Sequence, residues 1–225
     1  MRFARPLLPV LLLLLALAPA DALAQERATV LVFHGGGFLA GNTGLTEPLA
    51  ERFRERGFRV ENVAYPLGDV EAGQRTARRA ARRARSKSGP VFAVGESVGG
   101  TFAAHLASAR LVDGAVMAAA PTDLLRWNPE VPGFPDYWGE LRLTPDARWR
   151  LSPYRTAGRS VPTLVFHSRA DTAVPYVQSV RYARRTGGSL RRLRGDHLQD
   201  PSWKRVAVRW VVRRAGTGPA SLPRP

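Results

Sequence analysis

A serine at the tip of a sharp turn is the residue of this sequence best placed for covalent chemistry. The pentapeptide G-E-S-V-G at residues 95–99 follows an apolar run at 91–94 and precedes a helix-like run at 101–109. In a turn this tight the serine backbone is strained, so the residues two positions before and after it must be small. Glycine fills both positions. We therefore expect the turn to expose the Ser97 hydroxyl and to point the Val98 N–H toward the same space.

A serine hydroxyl is a weak nucleophile and needs a base within hydrogen-bond reach. The histidines of the chain are His34, His105, His167 and His197. Of these, His197 lies in a loop after the last predicted strand and is free to swing over Ser97, whereas His167 closes a strand and is expected to be buried there. The base also needs a buried carboxylate that fixes its tautomer. Asp171, in the loop after the penultimate strand, suits this role better than Asp196, which adjoins His197; the remaining candidates are Asp123 and Asp200.

A glycine-rich loop provides candidate donors for a developing negative charge. The apolar stretch at residues 28–33 ends in H-G-G-G-F at 34–38. Three consecutive glycines after a strand disfavour folding, because glycine loses the most backbone entropy on ordering. They suit a position where backbone N–H groups must turn toward a ligand. We expect the amide of Val98, together with one or both of those of Gly36 and Gly37, to stabilise a tetrahedral oxyanion.

The elements that would position these residues alternate between strands and helices. Strands are predicted at 28–33, 58–65, 91–94, 111–117, 161–167 and 189–194, and helices at 46–56, 71–88, 101–109, 176–186 and 201–214. This alternation predicts a parallel sheet with helices on both faces. Ligands of such sheets bind beyond the carboxyl ends of the strands. The candidate residues that follow strands at that edge are His34, Ser97, Asp171 and His197.

Residues 121–156 differ in composition from the rest of the chain, with several tryptophans and prolines and little periodicity. We interpret them as a short lid that lies over the site. Their aromatic side chains either line a substrate pocket or bury the lid's own small core, and the sequence favours neither. The helix at 71–88 carries alanines at helical spacing, which predicts close packing on the sheet with a solvated basic face. Residues 216–225 are expected to form a disordered tail.

The first 24 residues have the features of a signal peptide. Arg2 and Arg5 precede an apolar run at 7–18, and A-L-A at 22–24 is a cleavage signal. The run is shorter than the ~20 residues of a membrane-spanning helix, so an uncleaved anchor is the less favoured alternative. We expect a single domain over residues 25–225, exported to a periplasm or secreted, without stable insertion in a membrane. The absence of cysteine excludes disulfides and lipid attachment through cysteine.

The formal net charge of +16 falls to +15 without residues 1–24, and lysine occurs only at Lys87 and Lys204. A phosphate-binding surface normally uses both lysine and arginine, so we do not expect nucleic acid as a partner. The few histidines lack the spacing of metal ligands. We therefore expect neither a metal nor another cofactor. The oligomeric state does not follow from the sequence.

Taken together, the motifs resemble those of small α/β-hydrolases, in particular the hormone-sensitive-lipase-like carboxylesterases and the feruloyl- and acetyl-esterase-like proteins. The matching segments are HGGGF at 34–38, GESVGG at 95–100, PTLVFHSRADTAVP at 162–175, Ser-Pro at 152–153 and the late His197. The resemblance covers about residues 28–214 and implies Ser97 as nucleophile, His197 as base and Asp171 as the residue that orients it. It also implies an oxyanion hole formed by Gly36, Gly37 and Val98.

Some features depart from the family's pattern. Glu96 stands where an aspartate or histidine is more usual before the serine, the two strands that usually open the fold have no room, and the lid is short. The resemblance thus implies a reduced α/β-hydrolase fold, a three-layer α/β/α sandwich with about six mainly parallel strands. It implies hydrolysis of a small carboxylic ester through an acyl-enzyme. Two alternatives are a peptidase or amidase of the same fold, as in prolyl-peptidase-like relatives, and a non-catalytic exported binding protein.

Overall fold

Six parallel strands form the central sheet of the protein. The computed structural model describes residues 28–130, 135–159 and 161–216. The strands are β1 (Thr29–Phe33), β2 (Arg59–Asn62), β3 (Val91–Glu96), β4 (Gly114–Ala118), β5 (Thr163–Ser168) and β6 (Ser189–Leu193). Their order across the sheet is β2-β1-β3-β4-β5-β6, and each neighbouring pair is parallel. The predicted reduced sheet of about six parallel strands is confirmed.

The helices connect these strands. They are α1 (Glu47–Arg54), α2 (Val70–Arg85), α3 (Val98–Ser108), α4 (Tyr137–Glu140), α5 (Pro145–Leu151), α6 (Pro153–Thr156), α7 (Val177–Thr186) and α8 (Ser202–Gly216). Short 3-10 turns lie at Thr43–Leu45 and Leu124–Arg126. The predicted lid contains the second of these turns and α4 to α6. No helix in the described part of the chain is both long and apolar enough to cross a membrane.

Each face of the sheet carries its own hydrophobic core. Leu31 and Phe33 of β1 pack in the core beneath α2 and α3, whereas Val30 and Val32 face the core that contains Trp203 of α8. All five residues of β1 are buried, as expected of a central parallel strand that is covered on both sides. The two cores confirm the three-layer arrangement.

Helix α2 contacts the sheet through small side chains. Its buried face includes Ala77, Ala80, Ala81 and Ala84. On the outer face, Arg83 pairs with Glu61 of β2 at 2.5 Å and Arg75 with Glu71 at 3.5 Å; Glu61 is half-buried and the other three side chains are exposed. The interpretation of this helix as a closely packed element with a solvated basic face is confirmed.

The boundary between α3 and β4 differs from the prediction. The strand predicted at 111–117 begins only at Gly114. Arg110 adopts a left-handed φ of 56°, and Leu111 donates its N–H to the carbonyl of Leu106 while Arg110 donates to Ala107. These are the hydrogen bonds of a Schellman helix end, so Leu111 closes the helix instead of starting the strand.

At the far end of the chain, α8 continues through Gly216. The predicted tail at 216–225 is therefore wrong for Gly216, which is the last residue of the helix. Residues 217–225 lie outside the described residues, and so does the predicted signal peptide at 1–24.

Candidate active site

Ser97 is the single residue that separates β3 from α3, so the helix begins three residues earlier than predicted. Its φ of 51° and ψ of −127° are unusual for a residue with a side chain. Glycine is required on both sides, because a Cβ at Gly95 would lie 2.2 Å from the Gly99 carbonyl oxygen and one at Gly99 would lie 2.3 Å from that of His34. The predicted strained turn is thus present, with Ser97 almost buried at 8% exposure.

Three of the predicted site residues form one hydrogen-bonded series. His197 Nε2 lies 3.0 Å from Ser97 Oγ, and His197 Nδ1 lies 2.8 Å from Asp171 Oδ2. An ionised carboxylate only accepts hydrogen bonds, so Nδ1 carries the proton and Nε2 of the neutral ring accepts from the Ser97 hydroxyl. The His197 side chain is 23% exposed, which leaves the middle of the series open to solvent.

Four donor groups surround the Asp171 carboxylate. Oδ1 accepts from the backbone amides of Ala173 at 3.0 Å and Val174 at 2.8 Å, and Oδ2 faces His197 and His167 Nε2, the latter at 3.1 Å. Burial raises the pKa of Asp171, but the hydrogen bonds from His167, His197 and Val174 outweigh it and hold the pKa below its usual range. The carboxylate is therefore ionised at neutral pH.

His167 is a second imidazole on this carboxylate, which sequence reasoning missed. It is the penultimate residue of β5, is fully buried, and its Nε2 also lies 2.8 Å from the Val174 carbonyl oxygen. Both neighbours of Nε2 are acceptors, so Nε2 carries a proton, and Nδ1 of the neutral ring accepts from Ser179 Oγ at 2.6 Å. The predicted burial of His167 is correct. Its four-residue separation from Asp171 is the signal in the sequence that could have indicated the contact.

The other candidate acids have different partners. Asp196 Oδ1 accepts from the backbone amides of Thr172 at 2.8 Å and His197 at 2.7 Å, so it fixes the two loops against each other. Asp123 pairs with Arg181 at 3.3 Å. Asp200 accepts from the Ser202 amide at 2.9 Å, at the start of α8.

The two remaining histidines also lie apart from the series. His34 stacks on Tyr65 with ring centroids 4.2 Å apart, and burial lowers its pKa. His105 is enclosed in α3, where burial first and the Arg78 charge second lower its pKa to about 4. Neither ring is hydrogen-bonded to Ser97 or Asp171 among the described residues.

The glycine loop lies against the serine. A Cβ at Gly35 would be 3.2 Å from the Ser97 Cβ. Gly36 and Gly37 have positive φ values of 115° and 62°, and a Cβ at Gly36 would lie 2.0 Å from the Ala40 carbonyl oxygen. Val98 begins α3, so its N–H has no partner within the helix and lies at the positive end of the helix dipole. The structure thus places Gly35 of the loop beside Ser97, and the helix starts directly after Ser97.

Two tyrosines outside the predicted site hold this loop. Tyr65 donates its hydroxyl to the His34 carbonyl oxygen at 2.8 Å, and Tyr137 donates to that of Gly37 at 2.7 Å. Burial raises the pKa of both hydroxyls. No local pattern pointed to either tyrosine, because each meets the loop only through the tertiary fold.

Glu96 precedes the serine and is largely buried, with 12% of its side chain exposed. Burial raises its pKa, and the charge of Lys204, whose Nζ lies 3.8 Å away, offsets part of that shift. Lys204 belongs to α8, so this ion pair joins the last helix to the serine turn. Within the described ranges, no group of three or more histidine, aspartate or glutamate side chains could hold a metal ion.

Comparison with known proteins supports this architecture. The sequence profile of the prolyl oligopeptidase family matches residues 56–193, which include Ser97 and Asp171. No curated protein matches the sequence. Similar solved structures include an acetyl ester-xyloside bifunctional hydrolase from Caldicellulosiruptor lactoaceticus (17% identity, TM-score 0.69) and esterase 2 of Thermogutta terrifontis phosphonylated by sarin (21%, 0.69), each match covering 84% of both chains. A monoacylglycerol lipase from Paleococcus ferrophilus shares 20% identity over 85% of this chain and 95% of the other, with a TM-score of 0.63. At these identities the similarity concerns the fold, and it confirms the predicted α/β-hydrolase architecture.

Proposed function

Because the chain belongs to the prolyl oligopeptidase family, we propose that it is a serine hydrolase that cleaves a small carboxylic ester through an acyl-enzyme intermediate. The observation that carries the proposal is the continuous series from Ser97 Oγ through the His197 ring to the ionised Asp171. These side chains are separated by 100 and 26 positions along the chain. A hydroxyl, an imidazole and a carboxylate in this order are what acyl transfer requires.

In the first half of the reaction, Ser97 Oγ attacks the ester carbonyl carbon while His197 Nε2 takes the hydroxyl proton. The carbonyl oxygen becomes an oxyanion, which the amides of Gly36, Gly37 and Val98 stabilise. Asp171 keeps the proton of the neutral ring on Nδ1 and stabilises the imidazolium that forms. The tetrahedral intermediate then collapses, the bond to the alcohol oxygen breaks, and Nε2 gives its proton to the departing alcohol.

In the second half, a water molecule takes the place of the alcohol. His197 Nε2 removes a proton from that water as its oxygen attacks the acyl carbon. The second tetrahedral intermediate collapses to a carboxylic acid, and the proton returns to Ser97 Oγ. The partial exposure of His197 supports this step, because water must reach Nε2 once the alcohol has left.

The similar proteins bear on which type of bond is cleaved. The similar structures named above are an acetyl ester hydrolase, an esterase and a lipase, which favours an ester. The family match supports a second candidate, an amide or peptide bond, because the profile describes prolyl oligopeptidases. Turnover of a matched acetyl ester and acetyl anilide distinguishes the two, since activity on the ester alone rejects the peptidase.

The test of the proposal is covalent labelling followed by substitution. A fluorophosphonate should add to Ser97, as located by peptide mass, and Ser97→Ala should lower p-nitrophenyl acetate turnover roughly 10⁴- to 10⁶-fold. Ser86→Ala is the matched control, because the Ser86 hydroxyl is exposed and bonds only the Arg83 carbonyl at the end of α2. Unlabelled Ser97 together with unchanged turnover in Ser97→Ala would refute Ser97 as the nucleophile. A wild-type protein that hydrolyses no ester would instead favour the non-catalytic binding protein.

We also propose that the protein is exported and that residues 1–24 are removed. The basic start, the apolar run and the A-L-A site support this. The mass of the protein recovered from the periplasm or the medium of a bacterial host should correspond to a chain that starts at Gln25. A full-length mass in the membrane fraction would instead indicate an uncleaved anchor.

A further inference from the structure

The backbone that carries the proposed oxyanion donors has little conformational restraint of its own. Gly36 and Gly37 have no side chains and positive φ values, so their dihedral angles are restrained only by contacts with other residues. Within the loop, the Gly36 carbonyl oxygen accepts from the amides of Leu39 at 3.1 Å and Ala40 at 2.9 Å. Because a trans peptide is planar, holding this carbonyl also directs the Gly37 N–H the opposite way.

The next peptide plane is held from outside the loop. Tyr137 of α4 lies 100 positions later in the chain and donates its hydroxyl to the Gly37 carbonyl oxygen at 2.7 Å. The residue is 3% exposed, and its Cε2 and hydroxyl oxygen lie 3.8 Å from where a Gly37 Cβ would be. Tyr137 therefore limits rotation about Gly37 on the carbonyl side, while the Leu39 and Ala40 amides limit it on the amide side.

Tyr137 is itself fixed by two tryptophans. Its ring centroid lies 5.6 Å from that of Trp127 and 4.9 Å from that of Trp138, both edge-on, and the two tryptophans are 5.6 Å apart. The indole N–H of Trp127 donates to the Ala173 carbonyl oxygen at 2.9 Å. Ala173 also donates its amide to Asp171. We name Trp127, Tyr137 and Trp138 the aromatic brace, because they connect the glycine loop to the loop of the acid.

We propose that Tyr137 is a positioning residue for the oxyanion hole, and that the aromatic brace acts as a fixed support across the site. This inference rests on the proposed function. The three residues of the aromatic brace then do not need to move for catalysis. Tyr137 acts through the Gly37 carbonyl, so its hydroxyl affects the transition state, in which the oxyanion is fully formed, more than the bound ester, in which it is not.

Tyr137→Phe tests this directly, because it keeps the buried ring and removes only the hydroxyl. We expect kcat for p-nitrophenyl acetate to fall roughly 3- to 10-fold, the effect of one neutral hydrogen bond, with KM within twofold of wild type. A trifluoromethyl ketone forms a hemiketal with Ser97 that places an oxyanion in the same hole. Its inhibition constant should rise by the same factor as kcat falls.

Tyr154→Phe is the matched control. Tyr154 lies in the same segment, but its ring packs against Arg181 and Arg185 instead of the glycine loop. Removing the Tyr154 hydroxyl should leave both kcat and the inhibition constant of the trifluoromethyl ketone unchanged. As a second variant, Trp127→Phe keeps a ring in the brace but loses the hydrogen bond to Ala173, and should lower kcat without raising KM.

The proposal would be overturned if Tyr137→Phe lowers the melting temperature but leaves kcat per labelled Ser97 and the ketone inhibition constant at their wild-type values. The hydroxyl would then contribute to stability alone. Equal losses in Tyr154→Phe would do the same. If the wild-type protein neither hydrolyses an ester nor reacts with a fluorophosphonate at Ser97, the proposed function itself fails. If the wild type is active and Tyr137→Phe has the same kcat and ketone inhibition constant, only the proposed role of Tyr137 fails.

Discussion

Replacing Asp171 by asparagine should greatly lower the catalytic rate although the two side chains have the same shape. The reason is that hydrogen-bond donors face both oxygens of the Asp171 carboxylate. Two backbone amides face Oδ1, and two imidazole N–H groups face Oδ2. An asparagine amide has one acceptor and one donor group, so it cannot accept on both sides. Whichever way it lies, its NH₂ group faces two other donors.

The less costly response is a change of tautomer at His197. If Nδ1 gives up its proton to accept from the asparagine, the proton moves to Nε2, which then faces Ser97 Oγ as a donor and cannot remove the serine proton. We expect kcat to fall roughly 10⁴-fold, as in serine hydrolases whose orienting aspartate is replaced this way. KM should change little, because Asp171 is remote from the bound ester.

Stability should change with a definite dependence on pH. The pKa of folded Asp171 lies below its unfolded value, so its ionised form stabilises the native state above about pH 4, and this contribution is lost as the pH falls through the folded pKa. Asp171→Asn should therefore melt below the wild type at pH 7. The difference should narrow progressively below about pH 4.

The assay is ester turnover per active site, counted by fluorophosphonate labelling at long reaction times, alongside thermal unfolding at several pH values. Asp196→Asn is the matched control, since the Asp196 carboxylate is half-buried beside His197 and accepts from the Thr172 and His197 backbone amides instead of the His197 ring. It should retain kcat within about tenfold, because the asparagine oxygen can still accept from both backbone amides that bond Oδ1. If Asp171→Asn keeps kcat within tenfold of wild type, or Asp196→Asn loses as much, the assignment of Asp171 as the orienting acid is refuted.

Two further predictions concern groups next to the series. At His167, a glutamine can place an N–H near the position of Nε2, whereas an asparagine is too short to do so. We therefore expect kcat to fall roughly tenfold or more in His167→Asn and much less in His167→Gln. Equal losses in the two variants would contradict a role for the contact between Nε2 and Asp171. At Glu96, burial raises the folded pKa, so ionisation costs stability as the pH rises through that value, and Glu96→Gln should raise the melting temperature at pH 7 but not at pH 4, as followed by thermal unfolding. A lower melting temperature at pH 7 would mean that the Lys204 ion pair outweighs the burial of Glu96.

The order of strands and helices and the serine turn were predictable because both depend on local pattern. Apolar runs separated by helical periodicity fix a parallel sheet, and glycines two residues on either side of Ser97 are required by contacts within the turn itself. The start of β4 was not predictable in the same way. Leu111 has the side chain of a strand residue, but the left-handed Arg110 before it is not a residue type that signals a helix end.

The supports of the site were beyond sequence reasoning for a different reason. Tyr137 contacts Gly37 across 100 positions of the sequence. The segment around it contains many aromatic residues, so the sequence left open whether they line a substrate pocket or bury the lid's own small core. Burial of Trp127 and Tyr137 in the main core now favours the structural interpretation for those two rings. His167 could be placed in a buried strand end, but its contact with Asp171 depends on how the following loop turns back.

The costs built into this sheet edge argue for catalysis over a purely binding role. Ser97 holds a conformation that costs on the order of 1–3 kcal/mol for a residue with a side chain. The glycine loop adds backbone entropy, and the buried Asp171 must be kept ionised by four donors. A protein that only bound a partner would be more stable with each of these relaxed. Acyl transfer requires a nucleophile that projects from a strand, a base whose proton stays on Nδ1, and amides that face an oxyanion. The strained serine, the ionised Asp171 and the glycine loop meet these three requirements together, which is the physical reason to test this protein first as a hydrolase.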